Sequence, residues 1–312
     1  MYSRPRHPVA RPPFVSGFPM RLLLLLVVVL AAPVQAQKVD TLTAADGWRS
    51  SLVASLVGNQ AAYSNWQEGG VDALAFTTQA EGSFDRVVGR VLVRQTSRLA
   101  FGLLRQDTLD FRKAADVIRY GVSAELATDA IVRPTAALSL RTQFAPGFDY
   151  SPTAEEYPTL PITDGEELKV SDAFSPLVLT QSAGVSIRPG GGFAARTGLA
   201  LKETIVSIQR LRPVYGNDLD NSVRVEAGLD AELSLEREVF ENVLLRSRLY
   251  AFQGFTAIAE DAPDLLFENG LILKVNDLLN VQVDAAALYD ADISDDVQLR
   301  ESVSLGLTFS LL

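Results

Sequence analysis

The 312-residue chain has no cysteine and a single histidine, His7. No disulfide, thiolate metal site or cysteine nucleophile is therefore available. Basic residues are scarce too, 28 against 38 acidic ones, which disfavours a polybasic nucleic-acid binder. Long apolar runs are equally rare. The longest, residues 22–32, is eleven residues long, whereas a helix crossing a bilayer needs roughly 20. Yet 47% of the chain is hydrophobic, and that material must be spent some other way.

Arg21 precedes the apolar run, and Val34-Gln35-Ala36 follows it. Basic residue, short apolar run and small residues form the order of a secretory signal peptide, cut between Ala36 and Gln37. An uncleaved membrane anchor is the second reading, disfavoured by the run's length. Met20 stands directly before Arg21, and translation from it would give a compact signal peptide. Loss of residues 1–36 removes four arginines, His7 and no acid, leaving 24 basic and 38 acidic groups, a net charge of −14. The exported chain then has neither His nor Cys, which excludes Ser-His-Asp triads, Cys-His dyads and His-ligated zinc. Carboxylate-pair hydrolysis stays open in principle. Asp230 with Glu232 offers such a pair, but same-face neighbours on a strand are commonplace, and no enzymatic activity is expected.

What the chain does have is alternation. Over residues 223–235, Val223, Val225, Ala227, Leu229, Ala231, Leu233 and Leu235 occupy one parity, and Arg224, Glu226, Gly228, Asp230, Glu232 and Ser234 the other. In a strand these parities are opposite faces, one greasy and one polar. Twelve such segments are expected, near 48–58, 70–82, 86–104, 115–128, 132–145, 174–188, 193–207, 222–236, 241–256, 264–275, 279–290 and 298–312. Tight connections (83–85, 129–131, 189–192, 237–240, 276–278) alternate with longer ones (59–69, 105–114, 146–173, 208–221, 257–263, 291–297).

An even number of strands, with short turns at one end and long loops at the other, is the pattern of an outer-membrane barrel. Closure follows because lipid cannot satisfy a free sheet edge. A soluble sandwich would alternate as well, but its strands usually run about 5–6 residues. The expected fold class is all-β, a transmembrane antiparallel β-barrel of about 12 strands over 48–312. Its short turns and the segment 37–47 would face the periplasm, with the long loops outside the cell.

The end of the chain, Ser304, Gly306, Phe309 and Leu311, resembles the terminal signal that bacterial outer-membrane proteins present to the barrel-assembly machinery, although Leu312 extends past it. Several further pieces stand in order along the chain. They are Ser64-Asn65-Trp66 with Gly69-Gly70, Gly102 to Gln106, Phe111-Arg112-Lys113 with Asp116, Arg141 to Tyr150, and Ser171 to Pro176. In these the chain resembles an uncharacterised family of outer-membrane β-barrels from Bacteroidetes and their relatives. The resemblance implies a single barrel in an outer membrane of a Gram-negative cell, and implies no activity. Asn65, Trp66, Gly69 and Gly70 read as a tight loop in which glycine permits positive φ. Trp48 and Trp66 read as interfacial aromatics holding the barrel in its bilayer. The competing reading is that these strand tops converge on an outer-surface binding site.

With the polar parity turned inward, the expected lumen holds Arg90, Arg94, Arg98, Arg119, Arg141, Arg196, Lys202, Arg224, Arg246, Arg248, Lys274 and Arg300. Glu125, Glu226, Asp230, Glu232, Glu268 and Asp284 share that face. A basic excess inside an acidic chain suggests a narrow, porin-like channel or uptake port for small, anionic solutes. The alternative is a closed lumen filled by ion pairs, because buried charges must be paired, with outer loops that bind a partner or surface layer. Twelve strands lie between the filled eight-strand barrel and the open sixteen-strand porin. The acidic loops around Asp290, Asp292, Asp295 and Asp296, and around Asp164, Glu166 and Glu167, offer oxygen ligands for calcium but lack EF-hand spacing. They read as solvated charge, so no metal or cofactor is expected.

Overall fold

The computed structural model describes residues 48–62, 71–128, 130–163, 165–255, 263–290 and 294–311. The expected signal peptide with its Ala36–Gln37 cleavage point and Met20 start, segment 37–47, Asp164, Asp292 and the stretch holding Asn65, Trp66, Gly69 and Gly70 lie outside the described residues.

Alternation becomes fourteen strands: β1 (Trp48–Ala61), β2 (Ala73–Val88), β3 (Val91–Gln106), β4 (Arg112–Leu126), β5 (Val132–Thr142), β6 (Gly147–Asp149), β7 (Leu168–Ser171), β8 (Leu177–Gly190), β9 (Phe193–Ile205), β10 (Val223–Phe240), β11 (Val243–Gly254), β12 (Asp264–Lys274), β13 (Leu279–Asp290) and β14 (Ser294–Ser310). Twelve of them form a closed antiparallel barrel in the order β1-β14-β13-β12-β11-β10-β9-β8-β5-β4-β3-β2. β14 pairs with β1 from Val53↔Ser310 to Gly58↔Leu305, so no edge is left. β6 and β7 pair only with each other, inside the β5–β8 connection.

The barrel is inverted relative to a water-soluble domain. Leu199 and Val303 are 63% and 64% exposed on the outer face, while the inward Asp230 and Lys202 are 1% and 7% exposed. A belt of exposed Leu, Val and Phe around a polar interior is what a lipid-facing barrel requires. Among the described residues no helix is long and apolar enough to cross a membrane.

All twelve barrel strands coincide with an expected segment, but two turns move. The β2–β3 turn expected at 83–85 is at Gly89 and Arg90, and the β10–β11 turn expected at 237–240 is at Glu241 and Asn242. Gly89 (φ 60°) and Asn242 (φ 63°) supply the left-handed backbone that two-residue hairpin loops demand. Alternation runs on through the positions expected to turn, lengthening the neighbouring strands. At the β8–β9 turn Gly192 has φ 80°, and a side chain there would collide with the Glu236 carbonyl of β10.

The long connections are not featureless. Residues 143–176 carry the β6–β7 hairpin, and 206–222 carry a 3-10 helix (Gln209–Tyr215). Leu160 and Leu168 from the first pack with the fully buried Val206 and Leu211 of the second. Tyr157, Ile162, Val170, Ile208, Val214 and Tyr215 complete this cluster. Period-two reading cannot find such a core, because neither segment alternates.

Candidate functional site

The pleat sends every second residue of each strand inward, and the inward charges meet in three tiers. Toward the long-loop end, Lys202 (β9) donates to Asp264 (β12) at 2.6 Å and lies 3.1 Å from Glu226 (β10). Its ammonium also sits 4.8 Å from the centre of the Phe252 ring. Arg224 pairs with the same Glu226 at 2.9 Å.

At mid-strand, Arg119 (β4) donates through both terminal nitrogens to Glu268 (β12), at 2.8 and 3.1 Å. Arg248 (β11) joins Glu268 at 3.2 Å and Glu232 (β10) at 3.0 Å. Arg196 (β9) reaches Asp230 at 2.8 Å and Glu232 at 3.5 Å. β4 and β12 stand six places apart in the twelve-strand order, diametrically opposite. The Arg119–Glu268 fork therefore crosses the whole lumen. A second crossing, from Arg246 (β11) to Glu81 (β2), closes at 2.7 Å, and Arg98 lies 3.6 Å from the same Glu81.

Toward the short-turn end, Arg94 forks onto Asp85 at 3.0 to 3.1 Å. Glu125, nearly buried, accepts from Arg133, Ser186 and Arg188 at 2.8 to 3.1 Å. Arg246 also reaches Glu236 at 3.3 Å. Charges taken out of bulk water need partners of this kind, and bidentate arginine–carboxylate pairs are the strong form.

Of the residues expected in the lumen, Arg94, Arg98, Arg119, Arg196, Lys202, Arg224, Glu226, Asp230, Glu232, Arg246, Arg248 and Glu268 join these pairs. Arg141 and Arg300 stand on the inward parity of β5 and β14, opposite Arg119 and Ala286. Asp284 lies in the field of Arg98 and Arg300. Two expectations are corrected. Arg90 is exposed in the β2–β3 turn rather than on the wall, because that turn falls five residues later than alternation suggested. Lys274 ends β12 at the rim, half exposed, and pairs with Asp277 of the next turn at 3.0 Å.

Sequence reading also missed Glu81, Asp85, Glu236 and Asp264, and the bases Arg133 and Arg188. Asp85 fell in the misplaced turn, and Glu236 closed a strand that really continues to Phe240. With these counted and Arg90 and Lys274 removed, the lumen holds 12 basic against 10 acidic groups, close to balance.

A second constellation gathers at the long-loop end. Asp116 of β4, its side chain 2% exposed, accepts from the Phe144 and Ala145 amides at 2.7 and 2.9 Å and from Lys113 at 2.9 Å. Lys113 donates in turn to the Ala145 carbonyl. The Arg112 guanidinium lies 4.0 Å from the centre of the Tyr150 ring, and Phe111 packs edge-on against Phe76. Gln143 donates to the Asp172 and Ser175 carbonyls at 2.8 and 3.0 Å, holding the turn whose tip is the exposed Phe174. The sequence pieces at 111–116, 141–150 and 171–176 thus build one platform.

Burial pushes the Tyr215 phenol up to about 12, and its hydroxyl donates to the Val170 carbonyl at 2.9 Å. Tyr157 is raised by burial and by its bond to Asp149. Asp172 is held below the usual carboxylate range by Lys169 and the Ala173 amide. Trp48 is exposed at the short-turn end of β1, with Arg86 4.8 Å from its ring centre, the position an interfacial aromatic takes. Among the described residues no three acidic side chains gather in a metal-holding cluster.

In class, the chain is a twelve-stranded antiparallel β-barrel with an apolar exterior and a charge-paired interior. More particularly, residues 58–148, from the end of β1 into the β6 hairpin, match the family described as "Protein of unknown function (DUF3078)". The pieces at 64–70 and 102–116 lie inside that match, and 171–176 lies beyond it. No curated protein matches the chain in sequence. Among solved structures, the translocator domain of the autotransporter NalP from Neisseria meningitidis is similar at 11% identity and TM-score 0.37, covering 93% of this chain and 94% of that one. An outer membrane channel from Pseudomonas putida F1 gives 12% identity and TM-score 0.37, over 89% and 98%. The Pseudomonas putida toluene transporter TodX gives 10% identity and TM-score 0.30, over 86% and 89%.

Proposed function

We propose that the protein is a non-catalytic outer-membrane barrel whose lumen is shut at rest and whose working surface is its folded outer end. The observation that carries this reading is the Arg119–Glu268 fork, which joins opposite walls at 2.8 and 3.1 Å. It continues through Arg248, Glu232 and Arg196 to Asp230. A channel built to pass ions carries rings of one sign with a clear path between them. Here neighbouring signs cancel across the gap. The near-balance of charge likewise supports a filled interior over an anion-selective wall.

Location follows from the lipid-facing belt together with the signal-like residues 22–36. Insertion would go through the barrel-assembly machinery, with the terminal strand as its signal. The platform of Asp116, Gln143, Tyr150 and Phe174 is the surface on which a partner or surface layer would dock.

Osmotic swelling of proteoliposomes containing the purified protein separates the two readings. A shut lumen gives no swelling above empty vesicles with a small neutral sugar or with glycine. Swelling that scales with protein would instead favour the narrow channel. Membrane fractionation with heat-modifiable mobility on gels tests the location, and recovery in the soluble fraction would contradict it.

A further inference from the structure

Three arginines stand side by side on the inner wall. Arg98 of β3 is registered with Arg119 of β4, and Arg119 with Arg141 of β5. Directly opposed residues on antiparallel strands have Cα atoms about 4.5–5.5 Å apart, and like charges placed so destabilise the sheet. The row is tolerable only if each charge is answered. Arg119 is answered by both oxygens of Glu268, and Arg98 faces Glu81 at 3.6 Å.

Arg141 has no such close partner. Among the described residues it has no ion pair and no hydrogen bond. Its side chain is exposed to the lumen, although protein surrounds it. The charges acting on it are those of Arg119 and Arg248, of Glu268, which is already shared by both, and of Asp290 at the end of β13. Arg119, Arg196 and Arg248 beside it each have a carboxylate within 3.0 Å.

We propose that Arg141 is the primary ligand of a small-oxyanion site in the lumen, taking a phosphate or carboxylate group, with Arg119 and Arg248 adding to its field. The chemistry suits the residue. A guanidinium presents a planar fork that binds two oxygens of an oxyanion at once. An unanswered charge in a confined, weakly screened space recruits a counter-ion from solution. The site also accounts for a third arginine that stands beside Arg98 and Arg119 with no carboxylate of its own. This inference goes beyond the closed-lumen reading and needs only that the outer half of the lumen admit a small ion.

The test is isothermal titration of the purified full-length protein in detergent with inorganic phosphate, holding ionic strength constant with sodium chloride. The expected result is one site per chain, weakened about tenfold or more in Arg141→Gln. Arg141→Lys keeps the charge but loses the fork, so it should fall between. Arg90→Gln, in the exposed turn, should bind as the parent does. Since Arg141 holds no partner, Arg141→Gln should keep its heat-modifiable mobility and melting temperature, so that lost binding is not lost folding. Equal phosphate affinity in Arg141→Gln, or no binding by the parent, would overturn the site. Absent binding with no vesicle swelling removes the site and leaves the shut barrel standing. Binding together with swelling does the reverse.

Discussion

The barrel's interior and its outer cap are two cores built on opposite chemistry. Inside the barrel, pairs such as Arg196–Asp230 and Glu125 with Arg133 and Arg188 hold the walls together, and the greasy side chains face outward. In the cap, Leu160, Leu168, Val206 and Leu211 exclude water as they would in a soluble domain. The difference follows from solvent. Against lipid the hydrophobic effect cannot draw apolar residues inward, so a barrel is held by closed hydrogen bonding and paired charge. Beyond the bilayer the loops return to water, and burial of apolar surface drives their packing.

Truncation should separate the two cores. The largest effect is expected from Glu125→Ala, which leaves Arg133 and Arg188 facing each other without their shared carboxylate. Breaking such a nearly buried pair costs about 3–5 kcal/mol, and a drop in the barrel's melting temperature measures it. Leu211→Ala should cost about 2–5 kcal/mol, but within the cap alone. Limited proteolysis should then cut residues 143–176 or 206–222 while the barrel melts unchanged.

Smaller again is Asp116→Ala, which strips the Phe144 and Ala145 amides of their acceptor. A cost of about 1–3 kcal/mol is expected, read as faster amide exchange at those two positions. The smallest effect concerns pH. The Tyr215 phenol is raised to about 12 from an unfolded value of about 10. Folding therefore favours its protonated form. That contribution is complete below about pH 10 and is lost as pH climbs toward 12. Phenolate absorbance of the parent minus Tyr215→Phe should show Tyr215 still protonated at about pH 11.

These two cores were not equally legible in the sequence. Alternation identified twelve strands and their outward faces, because a pleat writes itself as period two. It placed Arg119 and Glu268 on the inner wall, but it could not pair them. They are 149 residues apart, and the pairing depends on closure of the ring. Asp85 was lost where a hairpin turn was set too early, and Glu81 and Glu236 stood uncounted near the ends of their segments, so the basic excess of the lumen was overstated. The cap was invisible as structure because its core joins two connections without periodicity. Its pieces were nonetheless visible as sequence, in Asp116, Arg141 to Tyr150 and Ser171 to Pro176.

If side chains from opposite walls close the lumen, cutting the mid-strand bridge must open it. Single-channel recording of the parent and of the Arg119→Ala/Glu268→Ala double variant in a planar bilayer tests it most directly. The parent should be silent, and the double variant should show steady openings once the mid-strand bridge is gone. Steady openings from the parent, or silence from a correctly folded double variant, would contradict the account.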